Sequence, residues 1–361
     1  VLAVTAAATC AVGLTVAPAA AESRGGGSPS PVRVVASGLN GPFQIADGGR
    51  YLYVAENGPR QITRIDRWTG AKSVAVTGFG DAQPQGVTRM GRWLVIVTGG
   101  GQDTPLPSTA ASVFVARDGG TPRKITDLLA YEKANNPDGQ VQQTGPDADS
   151  LSNPYYVVPD PVHRDSVIVA DAGANDLLRV RLRDGAVTRA KALPLVRTGS
   201  LCSGNTGNNT ADGTGCDPVP TGIVAGPRNT LYVSGLSAEA PGQGRIYVLD
   251  ARTWRILRVI SGLDAPTGVA LDRRGNVYAS EVTYGAPAGE PGPDFDPSTV
   301  GRIVRIDRCG HQTFAAVTMP SGLLWSHGRL YASAWAIAGF VGIQDAGQVV
   351  TVHRSAFVPA S

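Results

Sequence analysis

Short apolar runs of alternating character recur along the chain, each broken by a polar turn. In PTGVALDRRGNVYASEV, residues 266–282, Val269 and Leu271 alternate with smaller residues before Asp272, and Val277 and Tyr278 open a second run after Asn276. Two such runs about Asp-Arg-Arg-Gly-Asn predict a β-hairpin, with Gly275 taking a positive φ at little cost. One hairpin is too small to stand alone. Its second strand has counterparts in LYVAE (52–56), LVIVT (94–98), VIVAD (167–171), LYVSG (231–235) and LYASA (330–334). A proline opens the first strand of each hairpin, at Pro42, Pro84, Pro154, Pro220, Pro266 and Pro320.

A third strand follows every hairpin, from QITRID (61–66) to QVVTVH (348–353), and a fourth follows five of the six, as in KSVAVTGF, VTRAKAL and ILRVISGL. The sixth unit lacks its fourth strand. VRVVASGL (32–39), ahead of the first hairpin, has the fourth-strand pattern and no hairpin of its own. These readings predict an all-β fold, a six-bladed β-propeller with four antiparallel strands per blade, the last blade closed by the N-terminal strand. Closure pairs an edge that an open array would leave bare. A row of β-sandwiches predicts no unit that is short of a strand. No sustained 3.6-residue apolar period appears beyond the first twenty residues, and 46 Gly and 26 Pro in 361 residues favour turns over helices.

PTGVALDRRGNVYASE resembles the NHL-type repeat of TolB-like propellers. The run AYEKANNPDG, SNPYYVV and VIVADAGANDLLRV (130–180), followed by VPTGIVAGPRNTLYVSGL, resembles the ScyD/ScyE family of exported propellers, over Gly38 to about His353. The repeat part is generic; the NNPDG and ADAGANDLLRV segments are more specific. The resemblance implies no particular reaction and no catalytic residue.

Residues 1–21 are uncharged and end in Ala19-Ala20-Ala21, which predicts a secretory signal, with 22–31 a flexible lead-in and 32–361 a single propeller domain. A membrane anchor is the competing reading, but the run is short and interrupted by Thr, Gly and Pro. A secreted, extracellular monomer with no membrane span after processing is therefore expected. Cys202 and Cys216 bracket a polar loop that an exported chain can close as a disulfide. Cys309 is left over and is expected to be a small buried hydrophobe. No Cys/His spacing of a zinc site is visible.

Spacing between opening prolines varies from 42 to 70 residues, and the excess falls at 99–111, 283–300 and 336–346 between second and third strands, and at 131–153 and 197–219 between fourth and first. Both connection types emerge on one face of a propeller, the usual mark of a binding side. Those insertions and the 235–243 loop hold twelve acidic residues and two basic ones, while the whole chain carries a net charge of +3. An acidic insertion face and a basic underside follow, a field that favours cations above. The alternative is that exposed turns are simply rich in Asp. The underside lacks interleaved aromatics, so nucleic acid is not expected as a partner.

Glu56, Asp171 and Glu281 end the second strands of blades 1, 3 and 5. Pointed into the channel they would make an oxygen cage for Ca²⁺ or another divalent cation, as in the gluconolactonase and paraoxonase type of propeller, and a metal-dependent hydrolase or lactonase would follow. The preferred reading is structural: an acid there accepts from backbone N–H groups of the loop that follows. Asn57, Asn153, Tyr155 and Asn175 are ligand-binding candidates at the upper mouth, although Asn in turns is routine and Tyr155 has a use between blades. The calcium-loop half-match at Asn208–Asp212 lacks its closing Glu. The four histidines, His163, His311, His327 and His353, are scattered, and no nucleophile–base pair is visible. The leading expectation is a binding scaffold for a small molecule or an extracellular protein; the alternative is the channel hydrolase.

Overall fold

The computed structural model describes residues 30–360, apart from 101–105, 141–150, 205, 208–213, 288, 290, 291 and 293. The expected signal sequence, nearly all of the lead-in, and Asp103, Asp147, Asp149, Asp212 and Glu290 lie outside the described residues.

Six four-stranded antiparallel sheets form the blades of a β-propeller. Blade 1 consists of Pro42–Gly48, Tyr51–Glu56, Gln61–Asp66 and Lys72–Val76, and blade 2 of Pro84–Met90, Trp93–Thr98, Ser112–Arg117 and Arg123–Asp127. Blade 3 is Pro154–Pro159, Ser166–Asp171, Asp176–Arg181 and Val187–Ala192; blade 4 is Pro220–Gly226, Thr230–Gly235, Gly244–Asp250 and Ile256–Leu263. Blade 5 is Pro266–Leu271, Val277–Glu281, Arg302–Ile306 and Gln312–Ala316. Blade 6 takes Leu323–Ser326, Arg329–Ala334 and Gly347–Val352 from the C-terminal end and Val32–Leu39 as its outer strand, in a register that runs from Val32 opposite Val352 to Leu39 opposite Gly347. Its first strand starts at Leu323 rather than Pro320, because Ser321 and Gly322 pair irregularly with Ser333 before the regular ladder begins.

The second strand of each blade is buried on both faces, as its near-continuous apolar run requires. In blade 1, Leu52 and Val54 pack toward Tyr331 and Val349 of blade 6, while Tyr53 and Ala55 pack toward Leu94, Ile96 and Phe114 of blade 2. The period of two along one strand thereby serves two cores. Outer strands are wetted; Lys72, Ser73 and Val74 are exposed. At the quoted hairpin, Gly275 has φ +81°, its N–H donates to the Asp272 carbonyl, and the Asp272 carboxylate accepts from Arg274 N and Asn276 N.

The repeated Pro-x-Gly that opens four first strands has a spatial cause. A Cβ on Gly268 would stand 2.1 Å from the Ser321 carbonyl oxygen, and one on Gly322 would stand 2.2 Å from that of Phe43. Neighbouring first strands approach so closely around the axis that only glycine fits there. Blades 1 and 3 break the pattern, with Gln44 and Tyr156 at the glycine place.

One α-helix of eight residues, Leu128–Asn135, lies between blades 2 and 3, where no helical period was read from the sequence. Asp127 caps it by accepting from Ala130 N at 2.9 Å, and it ends at Asn136, whose φ is 41° and whose N–H returns to Glu132 O; Pro137 prevents continuation. Two turns are too short for the period to stand out. Leu128 and Glu132, four residues apart, share its buried face. Cys202 and Cys216 are joined, with Cα atoms 5.1 Å apart. No helix among the described residues is long and apolar enough to cross a membrane.

Candidate functional site on the insertion face

Connections between fourth and first strands bond to those between second and third strands all around the ring. Asn40 donates to Gln344 Oε1 at 2.7 Å, Thr198 to Gln243 Oε1 at 2.9 Å, Thr318 to the Ser298 carbonyl at 2.7 Å, and Gly100 N to Asn153 Oδ1 at 3.0 Å. The excursions therefore share one face. Tyr284, Phe340, Val341, Leu151 and Leu201, all from these connections, are exposed there, Phe340 by 84%.

Glu56, Asp171 and Glu281 are buried but do not converge. Among the described residues they are in no group of three metal-ligating side chains within 4.8 Å of one another. Each is consumed inside its own blade, so the channel cage expected as the alternative is not formed. Glu56 accepts from Asn40 N at 2.8 Å and from Thr63 Oγ1 at 2.5 Å; Glu281 accepts from Asp264 N at 2.8 Å and from Arg302 Nε at 2.5 Å. Asp171 accepts from Asn153 N and Ser152 Oγ, both at 2.6 Å, and from Gly173 N and Ala174 N. The backbone donors lie chiefly in the loop before the first strand rather than in the loop that follows, and the carboxylates thereby tie each incoming chain to its hairpin.

The central channel is crossed by the two side chains that replace glycine. Gln44 of blade 1 accepts from Val87 N of blade 2 and Val157 N of blade 3, both at 3.0 Å, and donates to the Val157 carbonyl at 2.8 Å. Tyr156 of blade 3 reaches blade 6, where its hydroxyl accepts from Leu323 N at 3.0 Å. These bonds satisfy open backbone edges of the innermost strands. Tyr155 lies beside them, edge-on to Phe43 with its hydroxyl 3.3 Å from Ser321 Oγ. Below this plug a cavity of about 370 Å³ is lined by the second halves of all six first strands.

At the lower rim Ser326 donates to Asp47 Oδ2 at 2.5 Å, His327 Nδ1 stands 2.7 Å from Ser326 Oγ, and Arg67 bonds Asp47 Oδ1 at 2.6 Å. Burial pushes the Asp47 carboxyl up, but Ser326, the Gly49 N–H and Arg67 together hold it below the usual carboxylate range. One ring nitrogen, Nδ1 of His327, faces Ser326, Arg67 Nη1 at 2.8 Å and Asp47 Oδ2 at 3.7 Å, whereas the relay of a nucleophilic serine sets the serine and the carboxylate on opposite nitrogens of the imidazole.

The two sequence segments singled out as most specific meet at blade 3. Asn175, at φ 54°, donates to Asp138 Oδ2 at 3.1 Å and accepts from Val219 N at 3.2 Å; Gln140 links Asp217 at 2.6 Å. Glu132 and Asp176 stand in the same cluster with 1% and 0% exposure, and neither has a hydrogen-bond partner on either carboxylate oxygen. No ion pair among the described residues reaches Glu132, Asp138, Asp171, Asp176 or Asp217. Burial, with Asp171 and Asp138 adding repulsion, pushes Glu132 up to about 8; burial, with Asp171, Glu132 and Asp138, pushes Asp176 well above the carboxylate range. Burial also lifts Asp171 and Asp217 to about 6.

Of the ligand-binding candidates, Asn153 is used to join blades 2 and 3, accepting also from Gln85 at 3.2 Å, and Asn175 is the hub of the blade 3 loops. Asn57 lies away from that cluster, its N–H bonded to the Gly41 carbonyl at 2.9 Å. Glu132 and Asp176 were missed by sequence reading because a carboxylate in a turn or at a strand start is ordinary. Cys309 is exposed, contrary to expectation, because it lies in the turn capped by Asp307 after the third strand of blade 5. With Asp307 and His311 it offers ligand atoms within 4.8 Å of one another, an Asp-x-Cys-x-His spacing overlooked in the chain.

No family model matches the sequence, and no curated protein sequence matches it. Solved structures do resemble the fold. A luciferin-regenerating enzyme aligns with TM-score 0.55 at 10% identity, covering 91% of this chain and 97% of that one. A gluconolactonase from Xanthomonas campestris gives 0.53 at 13%, covering 89% of each chain, and virginiamycin B lyase from Staphylococcus aureus gives 0.51 at 12%, covering 88% and 96%. At such identities the likeness establishes the six-bladed propeller and nothing about chemistry.

Proposed function

We propose that this protein is a binding propeller that recognises a small molecule or a partner protein through its insertion-bearing face. The observation that carries the reading is the gathering of interbonded excursions on one face, where Leu201, Tyr284 and Phe340 are exposed and the same connections also carry exposed Glu239, Asp294, Asp296 and Asp345. Aromatic and aliphatic anchors ringed by polar side chains are what a binding surface presents. The plug made by Gln44, Tyr155 and Tyr156 directs contact to that face rather than through the axis. Export belongs to the same proposal, supported by the uncharged leader at 1–21, by the Cys202–Cys216 disulfide and by the resemblance to the ScyD/ScyE family.

The test compares the wild-type protein with a Leu201→Ser, Phe340→Ser double variant, each immobilised and challenged with a metabolite library and an extracellular extract. The expected result is a retained ligand that the variant binds at least tenfold more weakly at an unchanged melting temperature, from a secreted protein whose N-terminus lies near Glu22. No retention by the wild type, or turnover of lactones in place of binding, would overturn it.

A further inference from the structure

At the paired position where the second strand ends and the third begins, three blades carry a carboxylate and differ in what faces it. Glu56 is opposite Gln61, which donates to it at 3.3 Å, and Glu281 is opposite Arg302, which pairs with it at 2.5 Å. Asp171 is opposite Asp176, a second acid. Directly opposed residues of an antiparallel pair share one face of the sheet, and like charges there repel. Asp171 is satisfied by its four donors; Asp176 has none. Where blades 1 and 5 supply a donor or a cation, blade 3 supplies neither, and the helix beside it adds Glu132, buried and equally without partners.

Among the described residues, both carboxylate oxygens of Glu132, both of Asp176, and Oδ1 of Asn136 are buried without a hydrogen-bond partner; Asn136 lies four positions after Glu132 at the end of the same helix. Burying carboxylates without partners is costly, and a bound cation is the remedy consistent with a donor set made wholly of oxygen. Two carboxylates and an amide oxygen are hard ligands, unsuited to the soft metals and matched to calcium, which accepts six to eight oxygens in irregular geometry and takes waters to complete its shell. Asp138 and Asp171, already hydrogen-bonded, add negative charge around them.

We propose that blade 3 holds a calcium site formed by Glu132, Asp176 and Asn136, which joins the Leu128–Asn135 helix to the strand pair Ser166–Asp171 and Asp176–Arg181. It adjoins Asp171 but uses none of the oxygens of the channel cage expected from the sequence. The site stands independently of the ligand-binding reading, since it is detected by the ion alone.

The full protein, stripped with chelator and dialysed into metal-free buffer, is titrated with Ca²⁺ by calorimetry, with Mg²⁺ in parallel, and its melting temperature is followed in both states. The expected result is one Ca²⁺ per chain, bound at least tenfold more tightly than Mg²⁺, with a rise in melting temperature of several degrees. Asp176→Asn and Glu132→Gln, which keep the side-chain volume, are expected to weaken Ca²⁺ at least tenfold and to abolish its effect on melting, while the far-ultraviolet dichroism is unchanged. Failure of the wild type to bind Ca²⁺ would overturn the site. Binding that survives both substitutions would overturn its location, and tighter binding of Mg²⁺ than Ca²⁺ would overturn the choice of ion.

Discussion

Gln44 and Tyr156 show how far one side chain can act in a ring. Their places in the repeat belong to glycine in the other four blades, where strands crowd the axis. A larger side chain fits at two of the six places, and it then reaches across the axis to backbone groups of non-adjacent blades, Gln44 to blade 3 and Tyr156 to blade 6. Gln44 satisfies two N–H groups and a carbonyl of blades 2 and 3. Replacing Gln44 by Met keeps the volume but leaves those groups unpaired, and a buried donor without its acceptor costs about 1–3 kcal/mol. Gln44→Met is therefore expected to lose about 2–5 kcal/mol in urea unfolding on the same principle, with Tyr156→Phe losing less because a single N–H is orphaned. An unchanged midpoint for Gln44→Met would show that water replaces the amide.

At the scale of the element, the turns opposite the insertion face repeat one device, an aspartate that accepts from N–H groups two or three residues on. Asp66 accepts from Trp68 N and Thr69 N, Asp250 from Arg252 N and Thr253 N, and Asp307 from Cys309 N. At Asp66 the hydrogen bond from Arg50, with the Thr69 and Trp68 N–H groups, lowers the carboxyl to about 2. A carboxyl depressed in the folded state contributes stability that is whole above its unfolded value near 4 and vanishes as the pH falls through its folded value. Asp66→Asn is accordingly expected to be less stable than wild type at pH 7, with the gap closing between about pH 4 and pH 2 as that linkage requires. Parallel melting curves across that range would sink the assignment. The turns were legible in the sequence because Asp, Gly and Asn have local uses; the helix Leu128–Asn135 was not, since two turns carry too little period and its buried face is apparent only against blades 2 and 3.

For the whole molecule, stability depends on a seam between the two ends of the chain. Val32–Leu39 covers Gly347–Val352, whose outer edge would otherwise be open to pairing with another chain. A protein starting at Asn40 is expected to melt at a lower temperature and to elute as oligomers or aggregates in gel filtration. If it stays monomeric with the wild-type melting temperature, the seam is dispensable. This seam was readable in the chain because a strand without a hairpin at one end matched a blade without a strand at the other.

The number of blades, their closure and the side on which the excursions emerge were determined by the sequence alone, because each depends on local period and on counting repeats. What the carboxylates do was decided by tertiary structure. Glu56, Asp171 and Glu281 occupy one place in the repeat, yet the residues opposite them are Gln61, Asp176 and Arg302, and their backbone donors lie up to 18 residues away. A carboxylate's role follows from the donors that surround it. In blade 3 those surroundings also include a helix from the preceding insertion, which no repeat alignment places there.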